Sequence, residues 1–249
     1  MKRSLKNIIG YSINPVGDGP KGKVKDFLFD EEKWVIRYME ADFGSFFESK
    51  RVLIPRLFIG TPDWDKEEIS INLSEKDIDS CPAPEKKLPI SRAYEMELNK
   101  YYDIDHYWMY DFGAVENPML YPPRPVGIPA KLVDEKDLDT SLRSYDEVTG
   151  YHINALDGKL GHIDDIIVDD EDWQIVYLIA DTSNWLPWSK KVILPIDFLN
   201  DISYVNQEVS IHLEKDSIKN APEFDRSRPL EPAEEKSVYD FLSSIMVDK

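Results

Sequence analysis

One cysteine, Cys81, is all the sequence offers in 249 residues, so neither an intrachain disulfide nor a cysteine zinc site can form, which suits a reducing compartment. Histidine is also scarce: His106, His152, His162 and His212 are scattered, and none pairs with another at metal-ligand spacing. No run of about 18 consecutive apolar residues occurs, so no membrane-spanning helix is expected. The opening stretch "MKRSLKNIIGYSINP" has basic residues but only Ile8 and Ile9 before Gly10, too little for a secretory apolar region. A cytoplasmic protein is expected. Positive charge is in short supply: 30 Lys and Arg face 48 Asp and Glu, a formal net charge of −18 that repels phosphate backbones and anionic lipid. Direct nucleic-acid binding is therefore not expected, whereas a basic partner would be attracted.

Catalytic signatures are missing too. There is no Gly-x-Ser-x-Gly elbow. "GDGPKG" (17–22) spells Gly-x-Gly-x-x-Gly, but a strand pattern follows it where a dinucleotide site needs a helix, so the glycines read as turn residues. "DFG" (111–113) stands without the other kinase elements. Neither enzymatic activity nor a cofactor is expected.

What the chain does contain is a duplication. With 42% hydrophobic and 12% aromatic residues it is apolar enough to fold, and a shift of 139 to 140 positions superposes its two ends. Gly10, Tyr11, Ile13 and Asn14 match Gly150, Tyr151, Ile153 and Asn154; Gly22, Asp26, Trp34, Tyr38 and Asp42 match Gly161, Asp165, Trp173, Tyr177 and Asp181. "SKRVLIPRLF" (49–58) parallels "SKKVILPIDF" (189–198), and "EISINL" (68–73) parallels "EVSIHL" (208–213). A period this long is a repeated domain. Each copy reads as about six short strands, with polar turns at "DEEK" and "DDED", alternating runs "WVIRYMEAD" and "WQIVYLIAD", and Pro55 or Pro195 closing the third strand. A helical stripe follows each: Tyr94, Leu98, Tyr101 and Tyr102 behind an N-cap Ser91, and Val238, Leu242, Ile245 and Met246 after Pro232.

These residues, above all "GYHINALDGKLGHIDDIIVDDEDWQIVYLIADTSNW" with "KKVILP", resemble the PRC-barrel family, which includes the barrel of the photosynthetic reaction centre H subunit and the C-terminal domain of ribosome-maturation factors. The resemblance covers roughly residues 4–82 and 142–222 and is strongest in the second. It implies an all-β chain of two small antiparallel PRC-like barrels, each followed by a short helix. The expected division is barrel 1 at 1–85, a helix and aromatic, proline-rich connector at 86–140, barrel 2 at 141–222 and a C-terminal helix at 223–249. It also implies a non-enzymatic docking or assembly role toward a protein partner, a basic one or a second copy of the chain. By analogy with the H subunit, a peripheral accessory of photosynthetic or respiratory membranes is an alternative.

Candidate contact residues are aromatic. Tyr107 and Trp108 sit in "YYDIDHYWMYDFGAVENPMLYPPRPVGIP" (101–129), and Trp185 and Trp188 in "NWLPW" (184–188), where large rings rimmed by polar residues suit recognition. A covering role for Tyr107 and Trp108 over a barrel wall is the competing reading. A second alternative makes the acidic turns cation or ligand sensors, with Asp169, Asp170 and Asp172 as oxygen donors. Consecutive carboxylates in a tight hairpin point different ways, which favours a solvated turn. Asp26 and Asp165, inside strands, are expected to bind backbone amides or the neighbouring turn.

Overall fold

The computed structural model describes residues 1–17, 19–44, 49–84, 90–109, 142–182, 190–226 and 228–247. In chain order the strands of the first half are β1 (Lys2–Ser4), β2 (Ser12–Val16), β3 (Gly22–Asp30), β4 (Val35–Asp42), β5 (Arg51–Pro55), β6 (Ile59–Asp63) and β7 (Glu68–Ser74). Those of the second are β8 (Leu142–Ser144), β9 (His152–Ala155), β10 (Gly158–Asp169), β11 (Ile175–Asp181), β12 (Lys191–Pro195), β13 (Leu199–Ser203) and β14 (Glu208–Ile211). The hydrogen-bonded order β5-β4-β3-β2-β7-β6 in one sheet recurs as β12-β11-β10-β9-β14-β13 in the other. The architecture is mostly β, as the repeat pattern implies.

Two expectations need correcting. The sheets are mixed, because β2 pairs with β7, and β9 with β14, in parallel. Nor is either sheet closed among the described residues, since the paired path ends at β5 and β6, and at β12 and β13. One turn explains both. Pro55 has no N–H to extend a ladder, and the 3-10 turn Arg56–Phe58 carries the chain round a corner without reversing it, so β5 and β6 run in the same sense and the last strand returns parallel to the first. Pro195 and the 3-10 turn Ile196–Phe198 do the same in the second copy.

The two repeats also exchange strands. β1 precedes the first repeat in the chain but pairs with β10 of the second, while β8 precedes the second repeat and pairs with β3 of the first. The hairpins cross as well: the Ile36 amide donates to the Trp173 carbonyl (3.0 Å) and the Ile175 amide to the Trp34 carbonyl (2.7 Å). Both tryptophans take left-handed backbone, φ 53° and 60°, at the turns that aim these carbonyls across the seam. Phe27 of the first repeat meets Trp173 of the second at 5.5 Å between ring centroids, and one buried cluster runs through both. An 80-residue sheet buries only a modest fraction of its surface alone, and fusing two cores raises that fraction.

Helices cover the outer faces. α1 (Glu75–Ser80) starts at a reciprocal Ser74–Asp77 cap, and α2 (Arg92–Tyr101) at Ser91, whose hydroxyl accepts from the Tyr94 amide at 3.1 Å. Tyr94 and Leu98 of α2 pack with Leu28, Tyr38 and Leu53. After the short α3 (Tyr145–Val148) and α4 (Lys215–Asn220), α5 (Pro232–Val247) buries Val238 and Leu242; the side chains of Ile245 and Met246 lie outside those described.

Candidate functional site

At the seam, each exchanged strand is held by a buried carboxylate of the other repeat. Asp165, fully buried in β10, accepts from the Ser4 hydroxyl, the Lys6 amide (3.2 Å), its neighbour's Ile166 amide (2.8 Å) and the Tyr145 hydroxyl (3.2 Å). Asp26, in β3, accepts from the Ser144 hydroxyl, the Asp146 amide (3.0 Å) and the Phe27 amide (2.8 Å). Ser4 and Ser144 stand one period apart, as do Lys6 and Asp146, so the two locks are chemically the same device. Burial pushes the Asp26 carboxyl up to about 6, with the Glu40 charge adding to it and the Ser144, Asp146 and Phe27 donors opposing. Burial raises Asp165 too, against its own donors.

A second matched pair fixes the helices to the sheets. The Tyr38 hydroxyl lies 3.3 Å from Glu95 Oε2 and 3.2 Å from Asn99 Oδ1, both on α2. One period on, the Tyr177 hydroxyl donates to Glu235 of α5 at 2.6 Å, and Lys2 of β1 bonds the same carboxylate. Burial works against ionisation of Glu235, but the Lys2 and Tyr177 bonds outweigh it and hold the carboxyl below its usual range. Each exchanged arginine covers a ring: Arg3 sits 4.4 Å from the Trp64 centroid and Arg143 5.2 Å from that of Tyr204.

Comparison with known families gives a local result. Residues 145–218 match the PRC-barrel domain. The match spans β9 to β14 with their flanking short helices and leaves out β8, the strand this half lends to its neighbour. The first repeat, which has the same strand order, is not covered by it. A search of curated proteins found no match.

Within the segment 145–218, the three acidic-turn residues are already engaged by groups of this chain, two of them by the same amino group. Asp169 Oδ1 accepts from the Glu171 amide (3.1 Å) and the Met1 amino group (3.3 Å); Asp170, 5% exposed, accepts from Trp64 Nε1 (2.9 Å) and from Met1; Asp172 accepts from the Gln174 amide (2.9 Å). Among the described residues, the grouping with ligand atoms within 4.8 Å of one another is instead His162, Asp164 and Asp181. Cationic side chains already fill it: Asp164 faces Lys191 at 2.5 Å and Arg226 at 2.8 Å, and Lys191 also reaches Asp181 at 3.6 Å.

Trp185 and Trp188 lie outside the described residues. Tyr107 and Trp108 are half-buried against α2 and the first sheet. The Tyr107 hydroxyl donates to Glu95 Oε2 at 2.9 Å under the Arg37 guanidinium, 4.0 Å from its ring, while Trp108 is sandwiched between His106 (4.6 Å) and Arg92 (4.1 Å). Asp26 and Asp165 do bind backbone amides and a neighbouring turn, but the turn belongs to the other repeat. That ownership, and the Glu95 and Glu235 clamps, are what sequence reasoning missed. The residues themselves were visible, since Ser4, Arg3 and Glu95 recur at the repeat spacing as Ser144, Arg143 and Glu235, but the spacing does not say which half each one serves.

Proposed function

We propose that this chain is a non-enzymatic docking or assembly protein of the cytoplasm, built on two PRC-like sheet repeats and directed at a protein partner that carries positive charge. The observation that supports it best is how the carboxylates at the seam and under the helices are used. Asp26, Asp165, Glu95 and Glu235 face hydroxyls, amides and cations of this same chain, so their chemistry is spent on architecture and the outer surface is left to do the work. The family match at 145–218 points the same way, because PRC-barrel domains suggest interaction or assembly modules. With a formal charge of −18, a basic partner would be steered in and held in a salt-dependent way. Trp185 and Trp188 are the proposed anchors, joined by Trp108 at the edge of its sandwich.

The test is capture from native extract on the immobilised full chain, set beside a Trp185→Ala, Trp188→Ala variant whose fold is verified by circular dichroism. The reading expects a partner retained at about 0.15 M salt, released toward about 1 M, and lost in the double variant. Capture of the same proteins by both chains at both salt levels would remove it.

A further inference from the structure

The geometry points to a second copy of this chain as a partner at the seam itself, two copies trading repeats so that β1 of each lies on β10 of the other and β8 of each on β3 of the other. This stands apart from the docking role and is carried by the symmetry of the locks.

The two halves of the seam share one register and the same arginine, serine and aspartate. Lys2, Arg3 and Ser4 oppose Asp169, Val168 and Ile167, and Leu142, Arg143 and Ser144 oppose Asp30, Phe29 and Leu28, which is the same register one period apart. Each serine bonds the buried aspartate beside that register, each following turn gives the same aspartate an amide, and each arginine lies over a ring in the last hairpin of its own half. The crossing tryptophan carbonyls complete a contact in which patch meets equivalent patch, the geometry of a two-fold dimer held on one polypeptide.

Every seam contact made within one chain is therefore available, unchanged, between two. What favours the single-chain form is the covalent connection between the repeats, which keeps one near the other at an effective concentration on the order of millimolar. Exchange becomes comparable as the chain concentration approaches that value, and the net negative charge of each copy opposes it least at physiological salt or above. Releasing a seam means opening a shared core with two buried carboxylates, so exchange passes through unfolding and its product persists once formed.

The experiment places Lys2→Cys on one full-length chain and Asp169→Cys on another, both in a Cys81→Ser background, since these residues are opposed across β1 and β10. The two are refolded together from denaturant at rising concentration, oxidised, and resolved without reductant. A chain carrying both substitutions controls for thiol geometry, each single variant alone gives the collisional background, and wild-type chain refolded in parallel is read by light scattering. The expected result is a disulfide-linked dimer several-fold above background, climbing with concentration toward about a quarter of the chains near the millimolar range, because only dimers of one variant with the other can link, with about half of the wild-type chain at doubled mass. If the doubly substituted chain closes its internal bond while the mixture and the wild type stay monomeric at every concentration, the inference is overturned.

Discussion

Replacing Asp165 by alanine and by asparagine should separate the two things this carboxylate does. Its Oδ1 collects three donors, the Lys6 amide, the Ile166 amide and the Tyr145 hydroxyl, while Oδ2 receives only Ser4. Alanine strands all four in a site with no solvent access. Buried donors left unpaired cost about 1–3 kcal/mol each, and the Tyr145 hydroxyl, which also meets Thr149, recovers part of its loss. Removing a carboxylate whose ionised form burial already penalises gives part of this back, so the net loss should be about 3–5 kcal/mol, the usual scale for breaking a buried polar network. Asparagine keeps Oδ1, and its amide can point at Ser4 if that hydroxyl turns to accept. Its cost should be about 1 kcal/mol. Equilibrium denaturation of both variants measures the difference, and hydrogen exchange should show the Lys6 amide losing protection in the alanine variant first. An alanine variant within about 0.5 kcal/mol of wild type, or asparagine worse than alanine, would refute this account of the lock.

Four further outcomes are expected. Because Asp26 titrates near 6 in the folded chain against an ordinary value of 3.8, the native state holds a proton that the unfolded chain has lost between those values, so stability should fall as pH rises from about 4 to about 6, by up to about 1.4 kcal/mol per pH unit, and Asp26→Asn should flatten that slope in paired denaturation curves. Gly161→Ala would place a Cβ 2.1 Å from the Asp181 carbonyl oxygen, whereas at Gly22 it meets only the Phe43 ring at 2.7 Å, so melting temperature should drop further for Gly161→Ala. Glu67 and Gln207 are exposed in left-handed conformation at equivalent hairpins, φ 55° and 52°, and glycine at either should be neutral or stabilising by up to about 1 kcal/mol in denaturant titrations. Leu98→Ala, emptying the fully buried contact of α2 with the first sheet, should cost about 2–5 kcal/mol by the same measurement.

Much of this fold could be read from residues alone, and where reading failed the reason is specific. Alternating runs and the proline-closed third strands marked the repeats, and Ser91 with Tyr94 and Leu98 marked α2 and its packing face. Strand direction was harder. Whether Pro55 precedes a reversal or a corner depends on the 3-10 turn after it, whose residues carry no distinctive signal. The exchange of β1 and β8 could not be read at all, because Ser4 is as good a partner for Asp26 as for Asp165: duplicated sequences make pairing within and between repeats chemically equal, and the connection of the chain decides between them. Contact residues fared differently again. Tyr107 and Trp108 stood out as aromatic residues near acids, but composition does not show that Glu95, Arg37 and Arg92 already meet their rings and hydroxyl.

The reciprocal exchange of strands is the claim on which the rest depends, and proton–proton proximities in the labelled full-length chain test it directly. The account predicts cross-strand contacts from Arg3 to Val168 and from Arg143 to Phe29. Contacts from Arg3 to Phe29 and from Arg143 to Val168 would mean that each repeat keeps its own leading strand, and would contradict it.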